Sequence, residues 1–292
     1  MKNKPVVIIS GASRGVGASV ACWLATKGAG MMLIARSEDA LSEISDKVRQ
    51  AGGTPLATVA DVSDQSVCQR AVEKTLAHFG RLDALICNAG VLPPLSSVAT
   101  ADPDAWRYNV AVNLLGPFYL AHSALPELRK QKGRIVNVSS GAAMHPIFGG
   151  SAYCASKAAL NQFTAVLAAE EPSVTAIAMR PGVVDTEMQA FIREQGKKTM
   201  PSEQLDYYLE LRDKGLLEPP SVPARAIAWL ALYAPCEWSG KFLSYDEPRI
   251  SQPALEIFGM RKTGLPSPSF VFLTAEDAED AQRAQRISEN LA

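Results

Sequence analysis

Neither sign of charge is in excess in this 292-residue chain: 29 Lys and Arg stand against 30 Asp and Glu, a formal net charge of -1. That removes the electrostatic footprint of a nucleic-acid binder. No apolar run reaches the ~18 residues of a membrane span, and the polar start Met1-Lys2-Asn3-Lys4 lacks the apolar region of a secretory signal. The three histidines, His78, His122 and His145, are too dispersed for a metal site. His145 stays open to two readings, a lip of an active site or a surface loop. The five cysteines (Cys22, Cys68, Cys87, Cys154, Cys236) are odd in number and share no metal-ligand spacing. They are expected to be reduced, mostly buried thiols in a cytoplasmic protein. Repeats and low-complexity segments are absent too, and the length suits one large α/β domain.

What is present is an alternation. Short apolar, β-rich runs recur near 5–10, 31–35, 55–60, 83–87, 133–139, 174–179 and 240–245. Between them lie helical patterns near 15–28, 38–51, 64–79, 103–131, 152–171 and 223–234. Strand and helix in alternation imply right-handed crossovers and a doubly wound, Rossmann-type parallel sheet. Ligands of such a sheet sit beyond the carboxyl ends of its strands, where strand order reverses.

Two motifs carry chemistry. The first strand leads into Ser10-Gly11-Ala12-Ser13-Arg14-Gly15-Val16-Gly17 and then a helix. Strand, glycine turn and helix aim backbone N–H groups and a positive helix end at a phosphate. Gly11 permits the tight turn, Gly15 close approach to a pyrophosphate, and Gly17 packing of helix on strand. The second is Tyr153-Cys154-Ala155-Ser156-Lys157, which puts a phenol and an ammonium one helical turn apart on one face. A phenol near pH ~10 is expected to titrate lower beside a cation. Ser140 lies thirteen residues before the tyrosine. Ser139 is its rival, since adjacent strand residues face opposite ways. Asn113 stands four residues before Pro117, which has no N–H to give the Asn113 carbonyl. That carbonyl is expected to be free to hold a water.

These motifs in this order resemble the short-chain dehydrogenase/reductase family over roughly residues 4 to 246. Cys87-Asn88-Ala89-Gly90 looks like its N-A-G segment, and Asn113, Ser140, Tyr153 and Lys157 match its catalytic tetrad. Arg180-Pro181-Gly182-Val183-Val184-Asp185-Thr186 looks like the segment that holds the nicotinamide carboxamide. The branch that Tyr153-Cys154-Ala155 and the 167–172 and 185–189 stretches look like is that of sepiapterin and benzil reductases. The resemblance implies cofactor contacts from Gly11, Ser13, Arg14, Gly15, Val16, Gly17, Arg36, Asp61, Val62, Asn88, Ala89, Gly90, Tyr153, Lys157, Pro181, Gly182, Val184 and Thr186. It also implies a relay water between Lys157 and Asn113, and a homo-oligomer, dimer or tetramer.

Reduction of a carbonyl needs a hydride donor at carbon and an acid at oxygen; Tyr153 is expected to supply the proton and Ser140 to hydrogen-bond the oxygen. Lys157 is expected to lower the tyrosine pKa and hold ribose hydroxyls. At the end of the second strand stands Ala35-Arg36 where an NAD enzyme wants a carboxylate. With Arg14 nearby, two guanidiniums suit a 2′-phosphate, so NADP(H) is expected.

Between Thr186 and Val222 the chain is too long for a short connection and carries Met188, Phe191, Met200, Tyr207, Tyr208 and Leu211. A substrate flap at about 187–221 is one reading; a helix pair packed on the body is the other. A flap suits diketones or aromatic carbonyl compounds. A pterin side-chain ketone stays open, although Ser244 stands where that branch is expected to carry aspartate, with Asp246 two residues later. Alcohol oxidation and a non-catalytic NADP-binding sensor stay open as well. After Asp246 comes turn-rich sequence, then Phe270-Val271-Phe272-Leu273 and a thin helical pattern from Thr274. This 247–292 extension is expected to pack on the domain or on a partner subunit.

Overall fold

The computed structural model describes residues 4–259. Seven parallel strands form one sheet in the order β3-β2-β1-β4-β5-β6-β7. They are β1 (Val6–Ser10), β2 (Gly30–Ala35), β3 (Thr54–Val59), β4 (Ala84–Cys87), β5 (Arg134–Val138), β6 (Thr175–Arg180) and β7 (Phe242–Ser244). Order reverses between β1 and β4, which pair directly, Ser10 opposite Cys87. The doubly wound expectation is met, and each strand lies within a few residues of its expected place.

The helices are α1 (Gly15–Ala25), α2 (Glu38–Gln50), α3 (Gln65–Phe79), α4 (Pro103–Val110), α5 (Gly116–Gln131), α6 (Ser151–Glu170), α7 (Glu187–Thr199), α8 (Ser202–Asp213), α9 (Ser221–Tyr233) and α10 (Pro248–Phe258). Alternate residues of β1 serve opposite cores, as the two-residue period of a strand requires. Val7 and Ile9 join Leu24, Ile227 and Ile250 on one face, while Val6 and Ile8 join Leu85, Leu120 and Leu167 on the other.

Two elements differ from the sequence expectation. The helix expected at 103–131 is broken between α4 and α5 by one wide turn, Ala111–Leu115, in which the Gly116 N–H reaches back to the Ala111 carbonyl. Pro117, which lacks an N–H, follows that turn and favours a break there. The segment after Asp246 is not a run of turns: it forms α10, with Pro248 at the first helical position, where a missing N–H costs nothing. Pro253 inside α10 removes one bond, which burial of Ile250 and Ala254 in the core offsets. The long connection holds two helices, α7 and α8. The 270–273 anchor and the helix expected from Thr274 lie outside the described residues.

Candidate active site

The glycine turn ends β1 and starts α1. Gly11 has φ +66°, a left-handed conformation that favours glycine, and a Cβ on it would meet the Ala89 Cα at 2.8 Å. A Cβ on Gly17 would fall 2.2 Å from the Gly11 carbonyl oxygen. The Asn88 side chain stitches the turn to β4, its Nδ2 donating to the carbonyls of Ser10 at 3.1 Å and Gly11 at 3.0 Å. Ser10 Oγ accepts from the N–H groups of Asn88 and Ala89. Helix α1 begins with no side-chain cap and no acid in its first turn. Its opening N–H groups and positive end are therefore left for an anion. Gly15 sits by the 181–186 segment, since a Cβ there would lie 3.4 Å from Thr186 Cγ2.

At the rim, Arg36 Nη1 donates to the Tyr108 hydroxyl at 2.8 Å, and that hydroxyl donates to Asp61 Oδ2 at 2.6 Å. Burial alone would raise the Asp61 carboxyl, but hydrogen bonds from Tyr108 and Ser63 hold it below the usual range. Arg14 pairs with Glu187, joining the glycine turn to the first turn of α7. Both partners are exposed, so the pair is worth well under ~1 kcal/mol. Val62 packs at the start of α5, where a Cβ on Gly116 would meet Val62 Cγ2 at 2.9 Å. Beside the turn opens a cleft of about 390 Å³, with Ser13, Arg14 and Gly15 on one wall and Glu43 and Lys47 on another.

The structure gathers the tetrad. Ser140 follows β5, caps a short turn by accepting from the Ala142 N–H, and hydrogen-bonds Tyr153. Ser139 is 2% exposed and its hydroxyl has no hydrogen-bond partner among the described residues, whereas Ser140 is the serine at the Tyr153 phenol. Lys157 is buried, its ammonium donating to the Val138 carbonyl at 2.8 Å and lying 5.7 Å from the Tyr153 ring centroid. Burial brings its pKa down to about 8. One expectation is corrected here. Tyr153 is not lowered by its lysine: burial raises it, and the Ser140 hydrogen bond opposes that only in part. The Lys157 ammonium donates to a strand carbonyl, not to the phenol.

Asn113 is fully buried in the wide turn. Its Oδ1 accepts from the Val91 N–H at 2.8 Å, and its Nδ2 donates to the Val91 carbonyl at 2.9 Å, to Asn109 and to Ser156. Asn109, one turn earlier and also fully buried, donates to the carbonyls of Val91, Leu92 and Pro93. Sequence reasoning missed Asn109 and Ser156; the signal was two asparagines four residues apart on one helical face. Together they hold the segment after Gly90, where a Cβ would lie 3.4 Å from Asn113 Oδ1 and 3.7 Å from Lys157 Nζ.

Over the tetrad lies an apolar cluster in which Tyr153, Leu92 and Ala142 meet Ile192 of α7 and Tyr208 of α8, with Met188, Phe191 and Met200 packed against them. Of the expected flap residues, Leu211 is buried and Tyr207 stays 42% exposed. His145 is exposed, on the loop before α6. Among the described residues no cluster of His, Cys, Asp or Glu could hold a metal, no helix is long and apolar enough to cross a membrane, and no two of the five cysteines are joined in a disulfide.

The family model described as short chain dehydrogenase matches residues 5–197. The chain belongs to the short-chain dehydrogenase family. It is 38% identical over 250 residues to an uncharacterized oxidoreductase of Saccharomyces cerevisiae, a match spanning 84% of this chain and 97% of that one. Benzil reductase ((S)-benzoin forming) of the same yeast is 35% identical over 258 residues, 84% of this chain and 97% of that one. Among solved structures, the KRED1-Pglu enzyme is similar with a TM-score of 0.78 at 38% identity, covering 82% of this chain and 100% of that one. The short-chain dehydrogenase described here is thus an oxidoreductase, and its family binds a nicotinamide cofactor.

The residues present fit that group. The crowding at Gly11 and Gly17 leaves a backbone cradle that no side chain fills, and the uncapped start of α1 faces it. Arg36 and Arg14 stand at its rim with no carboxylate at Ala35.

Proposed function

We propose that this short-chain dehydrogenase is an NADPH-dependent carbonyl reductase acting on diketones or aromatic carbonyl compounds. The observation that carries the reading is the Ser140–Tyr153 hydrogen bond beside the buried Lys157, under a wall of apolar and aromatic side chains from α7 and α8. Benzil reductase, a relative at 35% identity, is named for a diaryl diketone and supports the same substrate class. Gly11 to Gly17, Asn88 to Gly90, Asp61 and Val62, and Pro181, Gly182, Val184 and Thr186 would hold the cofactor, with Arg36 and Arg14 on its 2′-phosphate. When bound, the nicotinamide supplies hydride.

Tyr153 holds the proton that the substrate oxygen takes. Because burial raises its pKa, the hydroxyl stays protonated at neutral pH and can donate. Ser140 Oγ, beside the phenol, shares the developing charge on the oxygen. Lys157 keeps a positive charge below pH of about 8, which favours the phenolate left behind. The apolar flap excludes water and orients the substrate's bulk. A second copy of this chain belongs to the reading: Leu115, Phe118 and Val166 are exposed on the α5 and α6 side. Phe118→Asp is expected to lower the mass measured by light scattering.

The test is a panel of aliphatic, aromatic and 1,2-dicarbonyl compounds with NADPH and NADH, followed at the nicotinamide absorbance. It should include a pterin bearing a side-chain ketone. Fast NADPH oxidation with benzil-like diketones is expected; efficient pterin turnover with poor diketone turnover would reverse the substrate class.

A further inference from the structure

Between the 181–186 loop and the last strand lies a buried pair that the mechanism does not use. Glu218 ends the connection that carries α7 and α8 and is 6% exposed; its Oε1 accepts a 2.7 Å hydrogen bond from the phenol of Tyr245, which is 3% exposed. The Glu218 backbone is bound by the loop on both sides. Its N–H donates to the Val183 carbonyl at 2.9 Å, and its carbonyl accepts from the Asp185 N–H at 2.8 Å, a parallel bridge centred on Val184. The Tyr245 ring packs at Gly182, whose φ is +77°; a Cβ there would fall 2.7 Å from Tyr245 Cε1. The Tyr245 N–H, in turn, donates to the Arg180 carbonyl at 3.0 Å.

One side-chain bond therefore ties together four elements that border this loop: the end of β6, the turn at Gly182, the bridge at Val184 and the root of the segment that carries α7 and α8. A buried carboxylate costs stability that an apolar pair of the same shape would not. What it supplies instead is direction, one donor and one acceptor at a fixed separation. The adenosine side of the cradle is built from β1, α1 and the end of β2, and among the described residues no hydrogen bond joins it directly to this pair.

We propose that Glu218 and Tyr245 are positioning residues that set the 181–186 loop against the nicotinamide half of the cofactor. The proposal rests on the reading of that loop as nicotinamide-binding. Tyr245→Phe removes only the hydroxyl and keeps the ring at Gly182; Glu218→Gln keeps an oxygen that can accept from the phenol. Calorimetric titration of the full chain with NADPH and with 2′,5′-ADP, the adenosine half alone, separates the two ends. Tyr245→Phe and Glu218→Ala are expected to weaken NADPH about 10-fold and to lower kcat, leaving 2′,5′-ADP within about twofold, and Glu218→Gln to recover most of the loss. Equal weakening of both ligands would overturn the proposal and make the pair merely structural. A lower melting temperature with both affinities and kcat unchanged would overturn it in the same way. Thr186→Ala with unaltered NADPH affinity and kcat would instead remove the loop from the nicotinamide, and the parent reading would fall with it.

Discussion

The two sides of this site are made of different material. On the cofactor side the shape comes from backbone: a Cβ on Gly11 or Gly17 would collide at 2.8 or 2.2 Å, and Asn88 spends its side chain on two main-chain carbonyls. On the flap side it comes from Met188, Phe191, Ile192, Met200 and Tyr208, meeting Tyr153 through apolar contact. Two buried polar atoms of α7, Gln189 Oε1 and Arg193 Nη1, have no hydrogen-bond partner among the described residues. A backbone turn of that tightness admits one residue type, whereas an apolar wall accepts many of similar volume. The glycine turn is therefore where residue identity is constrained, and under the proposed reading the α7–α8 wall is where substrate preference can change without loss of the fold.

Tyr153 stands where the two sides meet, and its removal should produce the largest effect. Tyr153→Phe deletes the proton donor but none of the cradle, so NADPH binding should hold while carbonyl reduction falls about 10²-fold or more. Stopped-flow turnover with matched binding titrations checks both halves of that statement. Turnover like the wild type would take the tyrosine out of the chemistry.

A smaller but still large effect is expected on the cofactor side. Arg36→Asp combined with Arg14→Ala replaces two rim cations by a carboxylate that repels a 2′-phosphate and accepts ribose hydroxyls. The ratio of kcat/KM for NADPH over NADH should fall about 10²-fold. A wild type that already prefers NADH would show that the rim cations do not set the choice.

On the flap side the effect should be smaller again and confined to the substrate. Phe191→Ala removes one wall of the cluster, so KM for a diaryl diketone should rise about 10-fold, with little change for a short aliphatic ketone. NADPH affinity should not move. Loss of NADPH binding in this variant would mean that the two sides are not separable in the way the packing suggests.

The same division explains what the sequence made legible. Backbone constraints leave a trace: Gly11, Gly15 and Gly17 after an apolar run announce a turn and a phosphate cradle, and β-rich runs at the β1 to β7 positions announce a buried parallel sheet. Long-range side-chain pairing leaves none. Nothing about Glu218 says that it meets Tyr245 twenty-seven residues later, and Asn109 by type is a solvated helix residue, yet it is fully buried against three carbonyls. Helix α10 was hidden because Pro253 is a helix breaker by propensity, and tertiary burial of Ile250 overrides propensity. The direction of the Tyr153 shift was missed because a one-turn spacing puts a cation near a phenol but says nothing of how far both are desolvated.

That desolvation leads to the smallest predicted effect. Lys157 titrates at about 8 in the folded chain, held down by burial, against ~10.4 when unfolded. Between those values the unfolded chain binds a proton that the folded chain does not, so this lysine makes stability rise with pH across that window, by at most ~1.4 kcal/mol per pH unit. Buried thiols act in the opposite sense. Cys68, pushed up to about 12 by burial, and Cys87, also pushed up by burial, stay protonated when folded and ionise when unfolded, so their contribution is lost as pH rises above ~8.5. The lysine must therefore be isolated by difference. Urea midpoints of wild type and Lys157→Met at pH 7.5 and 9.5 should show the wild type gaining on the variant as pH rises, although the variant is nearly inactive at both. Over the same interval, wild-type carbonyl reduction should slow several-fold, because the ammonium that favours the phenolate is lost. A gap between the two midpoints that does not change with pH would mean that Lys157 titrates at its ordinary value in the folded protein, and the slowing would then need another cause.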